Sequence, residues 1–123
     1  MNRGAVGGTG GRGMVTAELA VAILAAFSVL VLLCWGIFLL VLQLRCVDTA
    51  AAVARQEARG DRAASAALQG EAPAGAEVRV ARRPGSVEVT VTLTVRAFAR
   101  GLAAVPLRAQ ASVVPEPTAG AGR

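Results

Sequence analysis

One uncharged apolar run constrains the fold of this chain more than any other feature of its sequence. Residues 19–42 carry no charged or strongly polar side chain apart from Ser28, and the run continues through Leu44 to Arg45. As a helix, these roughly 26 residues extend about 39 Å, whereas the hydrocarbon core of a bilayer is about 30 Å thick. The run therefore predicts a transmembrane helix, with one carboxylate, that of Glu18, directly before it.

The rest of the chain has room for one small module. Fewer than 80 of the 123 residues follow the apolar run, so a large enzyme core does not fit. The chain contains no His, and its serines show no nucleophile–base pattern, so we expect no enzymatic activity, no cofactor and no metal site. Its charge of +5 comes from arginines interleaved with acids, and Phe98 is the only aromatic residue beyond the run, so we do not expect nucleic acid as the main ligand.

A basic, glycine-rich segment, residues 1–13, precedes the apolar run. Its composition favours neither a stable helix nor a core, which predicts a detachable leader. A conventional secretory signal has an apolar region of only about 7 to 15 residues, followed by a small-residue cleavage site. Ala20-Val21-Ala22 fits such a site, but it lies at the start of the apolar run. Cleavage before the run is therefore the favoured alternative.

The junction Arg12-Gly13-Met14-Val15-Thr16-Ala17-Glu18 resembles the processing site of type IV prepilins and pseudopilins. The resemblance implies that Gly13 ends the leader, that Met14 becomes the new N-terminus and that Glu18 is the acidic assembly residue. The new ammonium group of Met14 would pair with Glu18 of the same or an adjacent subunit, which offsets the free energy of placing a carboxylate near the membrane. In the alternative interpretation, Glu18 is an ordinary acid in the first turn of a helix and Thr16 is its N-cap.

The arginines that flank the run and the prepilin resemblance predict opposite orientations in the membrane. Arg3 and Arg12 precede it, whereas four arginines follow within about 20 residues, so the positive-inside rule alone places the C-terminus in the cytoplasm. Prepilin processing requires the reverse, and long C-terminal domains follow the rule less closely. We expect a single-pass protein of the cytoplasmic membrane with a cytoplasmic N-terminus, an extracytoplasmic C-terminus and possible incorporation into an extracellular pilus.

The helical pattern continues beyond the transmembrane helix, residues 14–44, as a stalk over residues 45–70. Small apolar residues recur on one broad face of the stalk, namely Val47, Ala50, Ala51, Ala54 and Ala58. Gly60-Asp61 predicts a break, and a short second helix is expected over about residues 62–68.

The two cysteines cannot bridge each other within one helix. Cys34 and Cys46 are separated by about 18 Å of helical rise, far beyond the reach of a disulfide. We expect Cys34 to be a small apolar filler and Cys46 an interfacial thiol.

Within residues 71–114 the hydrophobic period changes to two, which predicts a small β module. Three alternating runs indicate strands, at residues 77–81, 87–95 and 107–114. Pro84-Gly85 matches the centre of a type II turn, so the first two runs predict an antiparallel hairpin. Pro106 and Pro115 bound the third run, and residues 115–123 are interpreted as a disordered tail. The predicted fold is α+β, with a single long N-terminal transmembrane helix, an extended stalk that packs on the sheet, and an antiparallel sheet of about three strands.

In this order of elements, and in residues 48–61 (DTAAAVARQEARGD), the chain resembles the TadE-like minor pilins of tight-adherence pilus systems, in their short actinobacterial form. Many relatives have Phe or Tyr beside the glutamate, where this chain has Ala17 and Leu19. The resemblance implies a structural protein: a minor pilin or pseudopilin that a prepilin peptidase cleaves after Gly13. Its implied partners are the major pilin, other minor pilins, the assembly platform with its ATPase, and membrane lipid. The alternative is an uncleaved single-pass anchor that displays an interaction module in a secretion or envelope complex.

Overall fold

Two helices and three strands follow one another along the chain. The computed structural model describes residues 10–97 and 103–115, and its elements are α1 (Gly10–Arg59), α2 (Arg62–Gly70), β1 (Glu77–Arg83), β2 (Ser86–Val95) and β3 (Val105–Val113). The predicted α+β fold is confirmed, because one long helix with an apolar first part precedes a three-stranded antiparallel sheet. The chain divides into two compact units, Met1–Ile37 and Phe38–Arg123.

In the first unit, α1 begins at Gly10. The last residues of the predicted leader are therefore helical, although their composition had predicted no stable helix. Extending an existing helix adds one hydrogen bond for each residue that becomes ordered, and this gain offsets the low helix propensity of glycine. Residues 1–9 of the predicted leader lie outside the described residues.

Hydroxyl groups in the apolar part of α1 bond back to their own helix. The Thr16 hydroxyl donates to the Gly13 carbonyl at 2.9 Å, and the Ser28 hydroxyl donates to the Leu24 carbonyl at 2.8 Å. Such bonds satisfy a polar group in an apolar environment without a partner from another chain. The alternative interpretation, in which Thr16 is an N-cap and Glu18 lies in the first turn, is wrong, because α1 begins at Gly10 and has no acid in its first turn.

In the second unit, β2 is the central strand of the order β1-β2-β3. Its alternation places Val87, Val89, Val91 and Leu93 in the core and its polar residues on the other face. Four fully buried residues of α1 belong to the same core, namely Cys46, Ala50, Val53 and Ala54. The prediction that the Ala-rich helix covers the apolar face of the sheet is confirmed.

The buried face of α1 is narrower than the sequence pattern predicted. Cys46 and Val53 are fully buried, whereas Val47 is 46% exposed and Ala51 and Ala58 are only half-buried. The interpretation of Cys46 as an interfacial thiol is wrong, since Cys46 is a core residue and burial raises the pKa of its thiol. Cys34 is exposed, and both cysteines are free.

The predicted hairpin closes at Pro84-Gly85. Arg83 pairs with Ser86, and Gly85 has φ +81°, as position i+2 of a type II turn requires. β3 begins at Val105, and Pro106 pairs with Thr94 inside the strand rather than marking its start. A proline is tolerated there because β3 is an edge strand.

The predicted break between the helices is also confirmed. Gly60 has φ +78°, and the Asp61 carboxylate caps α2 by accepting the Ala64 N–H at 3.0 Å. Nearer the N-terminus of α1, the Gln43 amide donates to the Arg108 carbonyl at 2.9 Å, and this hydrogen bond links the helix to β3. The predicted tail beyond Pro115 lies outside the described residues.

Candidate functional site

The predicted processing junction lies on an exposed stretch of α1. Gly13, Met14 and Glu18 are all exposed, and Met14 retains 75% of its accessible surface. Met14 and Glu18 are four residues apart, so they lie one above the other on the same face of the helix. A cut between Gly13 and Met14 would therefore create an ammonium group about one turn from the Glu18 carboxylate.

Nothing within the described fold requires glycine at position 13. A Cβ atom added to Gly13 would meet no heavy atom within 4 Å. The glycines with positive φ are Gly60, Gly75 and Gly85, so Gly13 has a backbone conformation that other residues adopt. Packing within the described residues therefore does not explain the glycine.

The helix beyond Glu18 exposes a continuous set of large apolar side chains. Phe27, Leu30 and Leu40 are each more than half exposed, and they are typical of the run. From Gly13 onward, α1 is long and apolar enough to span a membrane. So large an exposed apolar area is unfavourable in water, which is consistent with a helix that spans a membrane.

A polar cluster that sequence reasoning missed joins α1, α2 and β1. Oε1 of Glu57 accepts the Ser65 hydroxyl at 2.6 Å, and Oε2 accepts Nη2 and Nε of Arg82 at 2.6 and 3.0 Å. Ser65 is fully buried and also accepts the Gln69 amide at 3.2 Å. The Glu57 side chain is 5% exposed, whereas that of Arg82 is 54% exposed.

The surroundings of Glu57 favour its ionised form. The hydrogen bond from Ser65 lowers the pKa of Glu57, burial opposes this effect, and Arg82 and Arg62 lower the pKa further, so the net direction is downward. The carboxylate is therefore ionised at neutral pH, and both of its oxygens are occupied. This arrangement suits a structural link between elements rather than a catalytic acid or base.

The sequence contained one signal of this cluster. Glu57 lies seven residues after Ala50 and three after Ala54, on the helix face that packs against the sheet. A carboxylate at such a position needs hydrogen-bond partners, and α2 and β1 supply them through Ser65 and Arg82.

The two units define a class of protein: a small α+β module preceded by a single helix long enough and apolar enough to span a membrane. No protein-family model and no solved structure matches the chain. A curated protein of Mycobacterium tuberculosis (strain ATCC 25618 / H37Rv), named apoptosis inhibitor Rv3655c, is 38% identical over 107 residues, which cover 86% of this chain and 82% of the relative. The chain belongs to the same family as this mycobacterial protein.

Proposed function

We propose that the chain is a minor pilin or pseudopilin of a tight-adherence type IV pilus. A prepilin peptidase cleaves it after Gly13, and the mature chain takes part in assembly or initiation of the filament. The observation that carries the proposal is the junction itself. An exposed glycine without a packing role is followed by Met14 and Glu18, one turn apart, at the start of a membrane-length apolar helix.

The exposed apolar surface of α1 supports an assembly role. In this proposal the chain spans the cytoplasmic membrane once, with its N-terminus in the cytoplasm and its β module outside. Lipid surrounds the apolar side chains before assembly, and helices of the major pilin and other minor pilins replace it afterwards. The assembly platform and its ATPase supply the energy for extraction of the chain from the membrane. The chain itself performs no catalysis and needs no cofactor.

Intact mass and N-terminal sequencing of the membrane-bound protein test the processing step. Coexpression with a prepilin peptidase should produce a new N-terminus at Met14, and without the peptidase the leader should remain. Gly13→Val should abolish the cut, whereas Gly11→Val, the same change two residues earlier, should leave it intact. A leader retained in both wild-type samples would refute the proposal.

The role of Glu18 is tested separately from cleavage. Glu18→Gln keeps the side-chain volume but removes the charge that would pair with the Met14 ammonium group. We expect normal cleavage and loss of incorporation into filaments, measured by immunoblotting of sheared pili. Glu71→Gln, an exposed control in the β module, should assemble normally.

A second candidate is an uncleaved membrane anchor that displays an interaction module. The observation in its favour is that α1 continues without a break across Gly13 and Met14, so a peptidase would first have to unwind the helix there. Inhibition of apoptosis, which the name of the mycobacterial relative states, would then be a function of the displayed module. Retention of the leader in the presence of active peptidase would favour this candidate.

A further inference from the structure

The backbone groups on the outer edges of the sheet follow from its register. Arg83 and Ser86 flank a two-residue turn and pair with each other, so each points its N–H and C=O at the other strand. Because the direction alternates along a strand, Glu77, Arg79 and Ala81 also point their backbone groups toward β2. The residues between them point their backbone groups away from the sheet, namely Val78, Val80 and Arg82.

The opposite edge, on β3, is partly closed. By the same alternation, its outward residues are Pro106, Arg108, Gln110 and Ser112. Pro106 has no N–H, and the Arg108 carbonyl accepts the Gln43 amide at 2.9 Å. Proline and a covering side chain are two ways in which proteins prevent the addition of another strand.

The β1 edge has no such closure. Within the described residues, no hydrogen bond reaches the outward backbone groups of Val78, Val80 or Arg82. The side chains of Val78 and Val80 contact the core but are only half-buried, whereas Val89 and Val91 of the adjacent strand are fully buried. At the β1 edge, backbone groups therefore have no hydrogen-bond partner within the described residues, and apolar side chains remain partly exposed.

The exposed charge around the β1 edge is mainly positive. β1 carries three arginines, Arg79, Arg82 and Arg83, whose side chains are 75%, 54% and 70% exposed. Their ion-pair partners are Glu77, Glu57 and Glu88, which are 59%, 5% and 32% exposed, so positive charge exceeds negative charge on the exposed surface. A partner with negative charge would complement this surface.

A second copy of this chain does not suit the edge. Antiparallel pairing of two β1 strands requires a twofold axis perpendicular to the sheet. It would place Arg79 and Arg83 of one copy beside the same arginines of the other, and like charges beside each other are unfavourable.

We infer that the β1 edge binds an extended, acidic segment of a different polypeptide, which adds to the sheet as a fourth strand. Its backbone pairs with Val78, Val80 and Arg82, as in other cases of strand addition. Alternate apolar side chains cover Val78 and Val80, and acidic side chains on the opposite face lie beside Arg79 and Arg83. This inference does not depend on cleavage at Gly13.

Hydrogen exchange on the full chain in lipid nanodiscs tests the location of binding. The probe is a synthetic eight-residue peptide of alternating valine and glutamate, and the control peptide has lysine in place of glutamate. The acidic peptide should slow exchange of the Val78, Val80 and Arg82 amides by about tenfold, the effect of about one added backbone hydrogen bond. The outward amides of Gln110 and Ser112, on the β3 edge, should not change.

A proline substitution tests the need for the open backbone. Val80→Pro removes an outward N–H without removing a bond of the β1–β2 ladder, as Pro106 does on β3. It should weaken binding of the acidic peptide by about tenfold, whereas Val80→Thr, which keeps the N–H, should bind like the wild type. Slow exchange at Val89 and Val91 verifies that each variant is folded. If Val80→Pro does not fold, the test depends on hydrogen exchange in the wild type alone.

Four results would overturn the inference. They are the absence of protection at the β1 edge with the acidic peptide, equal binding by a folded Val80→Pro variant, equal binding of the lysine peptide, and protection of β1 that rises with protein concentration when no peptide is present. The last result would identify a second copy as the occupant.

Discussion

Replacement of Glu57 by glutamine should destabilise the second unit more than the same change at any exposed glutamate. The substitution keeps the volume and removes the charge that Ser65 and Arg82 recognise. The Ser65 bond is 2.6 Å long and the Glu57 side chain is 5% exposed, so weakening it should lower the free energy of unfolding by about 1–2 kcal/mol. The Arg82 side chain is 54% exposed, so its ion pair should add only about 0–1 kcal/mol.

Native-state hydrogen exchange at the Val89 and Val91 amides measures this effect directly. These residues are fully buried in the central strand, so their exchange reports opening of the whole module. Fluorescence of Trp35 would be a poor probe, since that residue lies in the apolar part of α1. The matched control is Glu77→Gln, which removes an exposed ion pair and should change the free energy by about 0.5 kcal/mol or less.

The pH dependence of Glu57→Gln provides a second test of the same reasoning. Because the folded-state pKa of Glu57 is lowered, its contribution to stability is complete above its ordinary value of 4.5 and is lost as the pH falls through the lowered pKa. The wild type should lose stability in this acidic range by more than the glutamine variant does. Equal losses at neutral pH for Glu57→Gln and Glu77→Gln would refute the structural role of the cluster.

Three further substitutions or modifications test the core, the turn and the buried thiol. Val91→Ala should reduce the free energy of unfolding by about 2–3 kcal/mol through lost burial and a cavity, whereas Val114→Ala, at a position 71% exposed, should change it by less than about 0.5 kcal/mol, as measured by the same exchange assay. Gly85→Ala should destabilise the hairpin by about 1–2 kcal/mol because of its φ of +81°, and an unchanged exchange rate in β1 would contradict this. In a Cys34→Ala variant, maleimide should modify Cys46 at pH 8 only after denaturation, as measured by mass, since the buried thiol has a raised pKa and no access to the reagent.

Features that depend on neighbouring residues in the chain were predictable from the sequence. The alternation in β2 is uninterrupted because one face of the strand is entirely in the core. Pro84-Gly85 specifies its own turn geometry, and Gly60-Asp61 ends one helix and caps the next. In each case the physical cause lies within a few residues.

Features that depend on contacts between elements were predicted less well. The burial of Cys46 and Val53 reflects how the sheet lies across α1, which residue spacing alone does not determine. Pro106 was expected at the start of β3 because prolines often precede strands, but its position at the sheet edge allows it within the strand. The Glu57 cluster combines residues from three elements, so only the folded arrangement reveals the contacts between them.

The role proposed for Glu18 can be compared with the surroundings of the other acidic side chains, some of which have partners in the fold and some of which water can hydrate. The carboxylates of four acids have hydrogen-bond or ion-pair partners in the described fold: Glu57, Asp61, Glu77 and Glu88. Asp48 and Glu71 lie beyond the apolar run, where water can hydrate them. Glu18 differs from both groups, because it is exposed beside a membrane-length apolar surface and forms no ion pair within the described residues. In the proposed function, the ammonium group that cleavage creates at Met14, or a positive group of a neighbouring subunit, would stabilise this charge.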